Sequence, residues 1–413
     1  MTAARVPLPA AMTAPAVVKV LAALMADGTA VRFVGGCVRD ALAGRRVGDV
    51  DLATADPPER VVALLGRAGL KAAPTGIDHG TVTAVADGRG FEVTTLRLDV
   101  RTFGRHAEVA FTDDWKADAA RRDFTFNAMS LAPDGTLYDY FGGRRDLAAG
   151  RVRFVGEPAK RIAEDYLRVL RFFRFLAHFG RRAPAARALA ACRDAAFELK
   201  RLSGERVRNE LVKLLAAPDP VPALRLMATT GVLAVALPEA VDRLAGDRLA
   251  FDRLAGLVAL DAADRDPVRR LTALIAGDAA ALATRLKLSN AERDRLAFLV
   301  PGTPGLVADT TPAGLRRLLY RHGQGRVIDA LYLAWADAGR DAAFAGRLDL
   351  ARAWVRPEFP LKGRDLIAAG VPRGPAVSTL LKDLEAWWEA GDFRADRAAC
   401  LTELRRRMPR NPA

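Results

Sequence analysis

The chain has 413 residues, 51% of them hydrophobic, which is ample for several domains, yet no apolar run approaches the ~20 residues of a membrane span, so a soluble, cytoplasmic protein is expected. Its three cysteines (Cys37, Cys192, Cys400) lie far apart and its four histidines lack metal-ligand spacing, which argues against a disulfide framework, a zinc site and a histidine-based hydrolase domain. The net charge of +14, mostly arginine spread along the chain, suits a polyanionic partner, although a GC-rich genome that trades lysine for arginine is another source of such an excess.

Residues 1–15 are rich in alanine and proline and predict disorder. Val17–Met25 reads as a short amphipathic helix that stops at Asp27-Gly28. Strands are predicted at Val31–Val34, Val50–Leu52, Thr81–Ala86, Phe91–Thr95 and Ala128–Leu131, with turns at Asp87-Gly88 and Asp134-Gly135. Between Leu98 and Ala120 the chain is polar and poorly periodic, which reads as a long loop, and loops of that length inside a domain usually carry function. After Gly156-Glu157-Pro158 no strand is expected. Helices are predicted at about 160–178, 185–197, 203–216 and 220–230, and repeatedly to the end, punctuated by prolines. The fold class is α+β, a head with a small mixed sheet followed by an elongated all-helical remainder.

Three clusters carry chemistry. In VRFVGGCVRDALAGRRVGDVDLATADPPERV, a strand runs into Gly35-Gly36, whose lack of side chains admits a phosphate to the backbone at the start of the next helix. Asp49 and Asp51 follow at i and i+2, so on a strand both carboxylates face one way and can share a hard cation such as Mg²⁺. An exposed acid pair beside a glycine turn is the plainer reading, and taken alone it prevails. The second cluster, ARRDFTFNAMSL, offers Arg122 for phosphate oxygens and Asn127 for a ribose hydroxyl, against a surface ion network as the usual meaning. In the third, EDYLRVLRFFRF, Asp165 and Arg168 are three apart and Arg171 and Arg174 continue the spacing, either as a functional face or as a solvated one.

Together and in this order, the clusters resemble the bacterial and eukaryotic tRNA nucleotidyltransferases (CCA-adding enzymes) of the polymerase-β-like superfamily. The resemblance rests on GGCVRD with GDVDLAT, HGTVTAV, FEVTTLR, RRDFTFNA, DYFGGRRDL, EDYLRVLRFFRF and LSGERVRNEL, and is dense over about residues 30 to 216. The tail run PLKGRDLIAAGVPRGPAVSTLLKDLEAWW is similar too, less sharply, and about 220 to 345 offers little at motif level. The resemblance implies a nucleotidyltransferase head at 16–152, a helical neck with the base-selecting helix at 153–216, and an RNA-binding body and tail at 217–345 and 346–413. It implies template-independent addition of C, C and A to tRNA lacking all or part of its 3′ CCA, from CTP and ATP, with no obligatory protein partner. Asp49 and Asp51 would hold two Mg²⁺ ions, and Glu92 would be a third carboxylate aiding deprotonation of the RNA hydroxyl, or else a structural partner of Arg97. Gly36, Arg39 and Arg122 would meet the triphosphate, Asp165 and Arg168 would read the base, and Arg171 and Arg174 would line the same pocket.

The base logic is chemical. Cytosine and adenine both present an exocyclic amine donor beside a ring-nitrogen acceptor, which a carboxylate and a guanidinium match, while uracil and guanine present the reverse. The switch from C to A is assigned to the 98–120 loop and the Asp139–Leu147 hinge. The loop reads TFGRHAEVAF where relatives more commonly carry tyrosine and proline, which bears on its mechanics rather than on the chemistry. Poly(A) polymerases share these motifs and are the nearest rival, followed by A-only addition. A non-catalytic RNA-binding protein would be expected to have lost one of the acidic residues.

Overall fold

The computed structural model describes residues 4–103, 106–240, 249–300, 310–339 and 341–408. The chain divides into two compact units, Met1–Val241 and Asp242–Ala413.

The first unit is built on a mixed sheet of eight strands: β1 (Ala4–Arg5), β2 (Val31–Val34), β3 (Leu52–Thr54), β4 (Lys71–Gly76), β5 (Thr81–Ala86), β6 (Arg89–Thr95), β9 (Ser130–Leu131) and β10 (Thr136–Tyr138), in the order β1-β10-β9-β2-β3-β6-β5-β4. Only the central β3–β6 pair is parallel, with Leu52 opposite Val93. Strand β5 alternates between partly exposed threonine or valine and buried Val82, Ala84 and Ala86, the pattern of a sheet with one covered face. That face is packed by α1 (Pro15–Leu24) and α3 (Pro58–Arg67). Each begins with proline in its first turn, where the missing N–H has no helical partner to lose.

Two expectations change here. Residues 1–15 are not disordered from residue 4 on: β1 pairs with β10, the Val6 amide donates to the Gly135 carbonyl at 2.8 Å, and Met12 is buried. The 98–120 stretch is not a loop but an antiparallel pair, β7 (Arg97–Phe103) and β8 (His106–Phe111), followed by α4 (Trp115–Ala120).

Beyond the sheet come α5 (Gly143–Ala149), α6 (Pro158–Glu164), α7 (Leu167–Phe179), α8 (Ala186–Asp194), α9 (Gly204–Leu215), α10 (Val221–Thr229) and α11 (Val232–Ala236). Among the described residues no strand follows β10, as the sequence leads one to expect. Helix α7 is anchored by an aromatic cluster: Phe172 and Phe175 meet Phe124, Phe126 and Phe154 with ring centroids 5.1–6.3 Å apart. Such ring pairs add about 0.5–1.5 kcal/mol each beyond area burial. The alternation of phenylalanine with arginine in RVLRFFRF thus fixes one side of α7 to the sheet-bearing part and leaves its arginines along a cleft.

The second unit is helical throughout its described residues, from Leu249–Leu260 to Arg397–Arg407. Near its start lies a buried charge network, with Arg270 paired to Asp261 at 2.7 Å and Arg269 to Asp329 at 2.9 Å. Tyr320, Leu366, Leu384, Trp388 and Leu404 form the apolar centre of its C-terminal part. Among the described residues no helix is long and apolar enough to cross a membrane.

Candidate active site

Strand β2 ends at Val34, and Gly35, at φ 72°, turns the chain into α2 (Gly36–Leu42). A Cβ on Gly35 would stand 3.2 Å from Nη1 of Arg122, so glycine both permits the left-handed turn and lets that guanidinium lie against it. The aspartates precede β3 rather than straddling it: the predicted strand Val50–Leu52 is displaced to Leu52–Thr54. The extended run nonetheless reaches back, because the Val34 amide donates to the Asp51 carbonyl at 3.0 Å. Asp49 is exposed, Val50 buried and Asp51 partly buried, so the i, i+2 relationship survives outside the regular strand.

The parallel Leu52–Val93 register brings Asp51 alongside Glu92. Burial, then the charges of Glu92 and Asp49, push the Asp51 carboxyl up to about 6, against the pull of Arg122. Among the described residues no hydrogen bond or ion pair is seen on the carboxylates of Asp49, Asp51 and Glu92. Uncompensated acidic charge of this kind fits a hard cation. No three acidic, histidine or cysteine side chains among the described residues form a ready-made metal cage.

Opposite the acids stand the arginines. Asp118 on α4, buried, receives Arg121 at 2.8 Å and Arg122 at 3.2 Å. Burial would raise its carboxyl, but Arg122 and Arg121 outweigh that and hold it below the usual carboxylate range. Asp123 is a second buried node. One of its oxygens accepts from the Asn127 amide at 2.9 Å, the other from Nε of Arg171 at 2.6 Å. Here too the arginine outweighs burial, and Asp123 stays ionised well below the ordinary range. Asn127 in turn accepts from Nη1 of Arg39 at 2.9 Å. Its amide therefore bridges two side chains and keeps one N–H for a ligand.

The predicted helix over 160–178 is broken. Asp165 closes α6 in extended conformation (φ −155°, ψ 107°) and α7 begins at Leu167. Asp165 and Arg168 consequently do not share a helical face and do not pair. Both Asp165 oxygens accept from Nη2 of Arg206 on α9, at 2.9 and 2.7 Å, and one accepts from the Leu167 amide at 3.1 Å. Arg168 is held by Glu164 at 2.5 Å and by the carbonyls of Arg161 and Arg121 at 2.9 and 3.2 Å. Arg174 is not solvated: it is buried, 3.1 Å from Glu210 at an angle too bent for a hydrogen bond, and lies 4.3 Å over the Phe175 ring. Burial pushes its guanidinium down to about 10, with Glu210 opposing.

Gly36, Arg39, Asp51, Arg122 and Asn127 line one cavity of about 890 Å³, and so do Asp165, Arg168, Arg171 and Arg174. Asp49 and Glu92 stand exposed beside it rather than in its wall. The positioning acids Asp118, Asp123 and Glu164 escaped sequence reasoning. Arg206 reaches Asp165 from α9, and nothing in local spacing joins the two.

Residues 31–153 match the family described as the poly A polymerase head domain, and residues 184–244 match a probable RNA- and SrmB-binding site of polymerase A. The mitochondrial CCA tRNA nucleotidyltransferase 1 of Danio rerio is 35% identical over 401 residues, covering 91% of this chain and 86% of the relative. The chain belongs to the CCA-adding tRNA nucleotidyltransferase family. The CCA-adding enzyme of Lacticaseibacillus paracasei, another member, is 33% identical with 95% of each chain covered. The crystal structure of the Bacillus stearothermophilus CCA-adding enzyme in complex with CTP superposes with a TM-score of 0.76 at 30% identity, over 95% of this chain and 96% of that one. The α+β fold with its small mixed sheet and long helical remainder is thus that of the family.

Proposed function

We propose that this protein adds C, C and A to the 3′ end of tRNA from CTP and ATP without a nucleic-acid template. The observation that carries the reading is a single cavity holding an uncompensated carboxylate, Asp51, at one part and a fixed carboxylate–guanidinium edge, Asp165 with Arg168, at another. The family relatives, named for CCA addition over nine-tenths of this chain, support it.

In this reading Asp49 and Asp51 hold divalent metal, as two Mg²⁺ ions, which supplies Lewis-acid activation of the RNA 3′-hydroxyl and relief of charge on the departing pyrophosphate. Gly35 and Gly36 admit the triphosphate to the backbone, and Arg39 and Arg122 neutralise its oxygens with their positions set by Asn127 and Asp118. Glu92, beside Asp51, draws the proton of the attacking hydroxyl. Asp165 keeps a lone pair beyond the Arg206 and Leu167 bonds and accepts from the exocyclic amine of cytosine or adenine. Arg168 keeps its Nε–H and one Nη2 hydrogen for the ring nitrogen. Uracil and guanine set like against like, and burying such mismatched groups rejects them strongly. Residues 217–345 and 346–413 hold the RNA through phosphates and shape.

The test is incubation of the full chain with tRNA that lacks its 3′ end, with labelled CTP and ATP singly and together. Two C and then one A are expected. Long A tails would transfer the reading to a poly(A) polymerase, and A alone on tRNA ending in CC would narrow it to A addition.

A further inference from the structure

Asp118 is buried and lies outside the wall of the nucleotide cavity, yet its carboxylate is shared between two residues that line it. One oxygen accepts from Nε of Arg121 at 2.9 Å and from the Arg97 amide at 3.4 Å. The other accepts from Nε and Nη2 of Arg122 at 3.4 and 3.2 Å, a longer grip than that on Arg121. Arg122 is therefore the partner that yields more readily, and its Nη1 lies against Gly35, where the phosphate turn begins. The same short stretch of chain also holds the base end. Helix α4 stops at Ala120, and carbonyls without a helical partner at that end accept guanidiniums from α6 and α7. The Ala120 carbonyl accepts from Arg161 at 3.0 Å, and the Arg121 carbonyl accepts from Nη2 of Arg168 at 3.2 Å.

The Arg121 carbonyl and the Arg122 amide belong to one planar peptide unit, so a turn of that unit moves both the Arg122 backbone and the oxygen that holds Arg168. Asp118 grips the side chains on both sides of it. Buried and already carrying both arginines, Asp118 acts through them and is a positioning residue. We propose that Asp118 couples the two ends of the cavity. Phosphates that draw Arg122 shift the Arg121–Arg122 peptide and set Arg168 against the base, so a nucleotide's phosphates sharpen the choice of its base. This rests on the proposed assignment of Arg122 to the triphosphate and Arg168 to the base, and adds the link between them.

The test is equilibrium binding of CTP, UTP, CMP and UMP to the full chain, with Mg²⁺ present and no RNA. In wild type the CTP-to-UTP affinity ratio should exceed the CMP-to-UMP ratio by about 5- to 150-fold, the usual span of coupling between two sites. Asp118→Asn should bring the triphosphate ratio down to the monophosphate one and leave the latter unchanged. Asp118→Glu keeps the buried charge, and so the fold, but displaces the clasp by a methylene, and should cut the surplus as well. Equal ratios in wild type would overturn the inference. So would variants that weaken all four nucleotides by one factor, the mark of a merely structural role. Wild type that adds C, C and A to tRNA without the surplus would leave the proposed function standing and remove only the coupling, whereas failure to add either nucleotide would overturn that function itself.

Discussion

Asp165 is clasped by Arg206: a single guanidinium nitrogen on α9 reaches both oxygens of a carboxylate that sits in the break between α6 and α7. The acid proposed to read the base is thereby oriented by a residue forty-one positions away. Arg168, three positions on, is oriented independently by Glu164. Under the proposed function, base choice would depend on two braced side chains rather than on one ion pair.

Arg206→Gln should therefore act through Asp165. Loss of one charge-assisted contact, about 1.5–3 kcal/mol, should lower kcat/KM for CTP and ATP by roughly 10- to 100-fold. Steady-state kinetics with saturating tRNA will show it, and an unaltered kcat/KM would deny the brace any role.

Asp51→Asn should abolish incorporation and yet stabilise the metal-free protein. The Asp51 carboxyl is pushed from its ordinary 3.8 to about 6, so ionising it in the fold costs up to about 3 kcal/mol. A raised native pKa means that the folded state holds the proton more tightly: the associated stability is full below about pH 4 and is lost as pH rises through about 6. The asparagine variant should melt higher than wild type at pH 7.5 in EDTA, and the gap should shrink toward pH 4. Equal melting temperatures at pH 7.5 would contradict the crowding of the three acids.

Asp123→Asn should do the opposite. It leaves Arg171 without its counter-charge and weakens the link to Asn127, a loss of roughly 2–4 kcal/mol. Asp123 has a depressed pKa, so its contribution is present above the ordinary carboxylate range and disappears as pH falls through that range and below. Urea denaturation at pH 7 should show the loss, and a variant as stable as wild type would show that the node is dispensable.

In the second unit, Arg270→Leu leaves the buried Asp261 with only the longer Arg269 contact, at 3.6 Å, and should cost about 3 kcal/mol. Replacing both residues with leucine should cost less than the single change, since no lone charge is left behind. A double variant that falls by the sum of the singles would refute that coupling.

How far the sequence carried this account depended on how local each feature was. Thr81–Ala86 was legible because a covered sheet face imposes its alternation on it, and Val31–Val34 because a short, mostly buried apolar run stops at a double glycine. The β7–β8 pair was read as a loop because it stands apart from the main sheet, with Leu98 and Phe111 at its base exposed, so no core face writes a period-2 signal. The break at Asp165 was hidden because the three-residue spacing of Arg168, Arg171 and Arg174 runs back through it with no proline or glycine to mark the stop. Residue types at the site were legible, being chosen by phosphate and base chemistry. Their braces were not: Arg206, Asp118 and Asp123 are tertiary partners, and any of many arginines or aspartates would have looked the same on paper.

The central claim is a division of labour, with chemistry at Asp49 and Asp51 and choice at Asp165 and Arg168. The most direct measurement is the ratio of kcat/KM for CTP to that for UTP in Asp165→Asn. The ratio should collapse by about 100-fold or more, since an amide can offer uracil the donor that a carboxylate lacks. An unchanged ratio, with both nucleotides slowed alike, would contradict the assignment of base choice to Asp165.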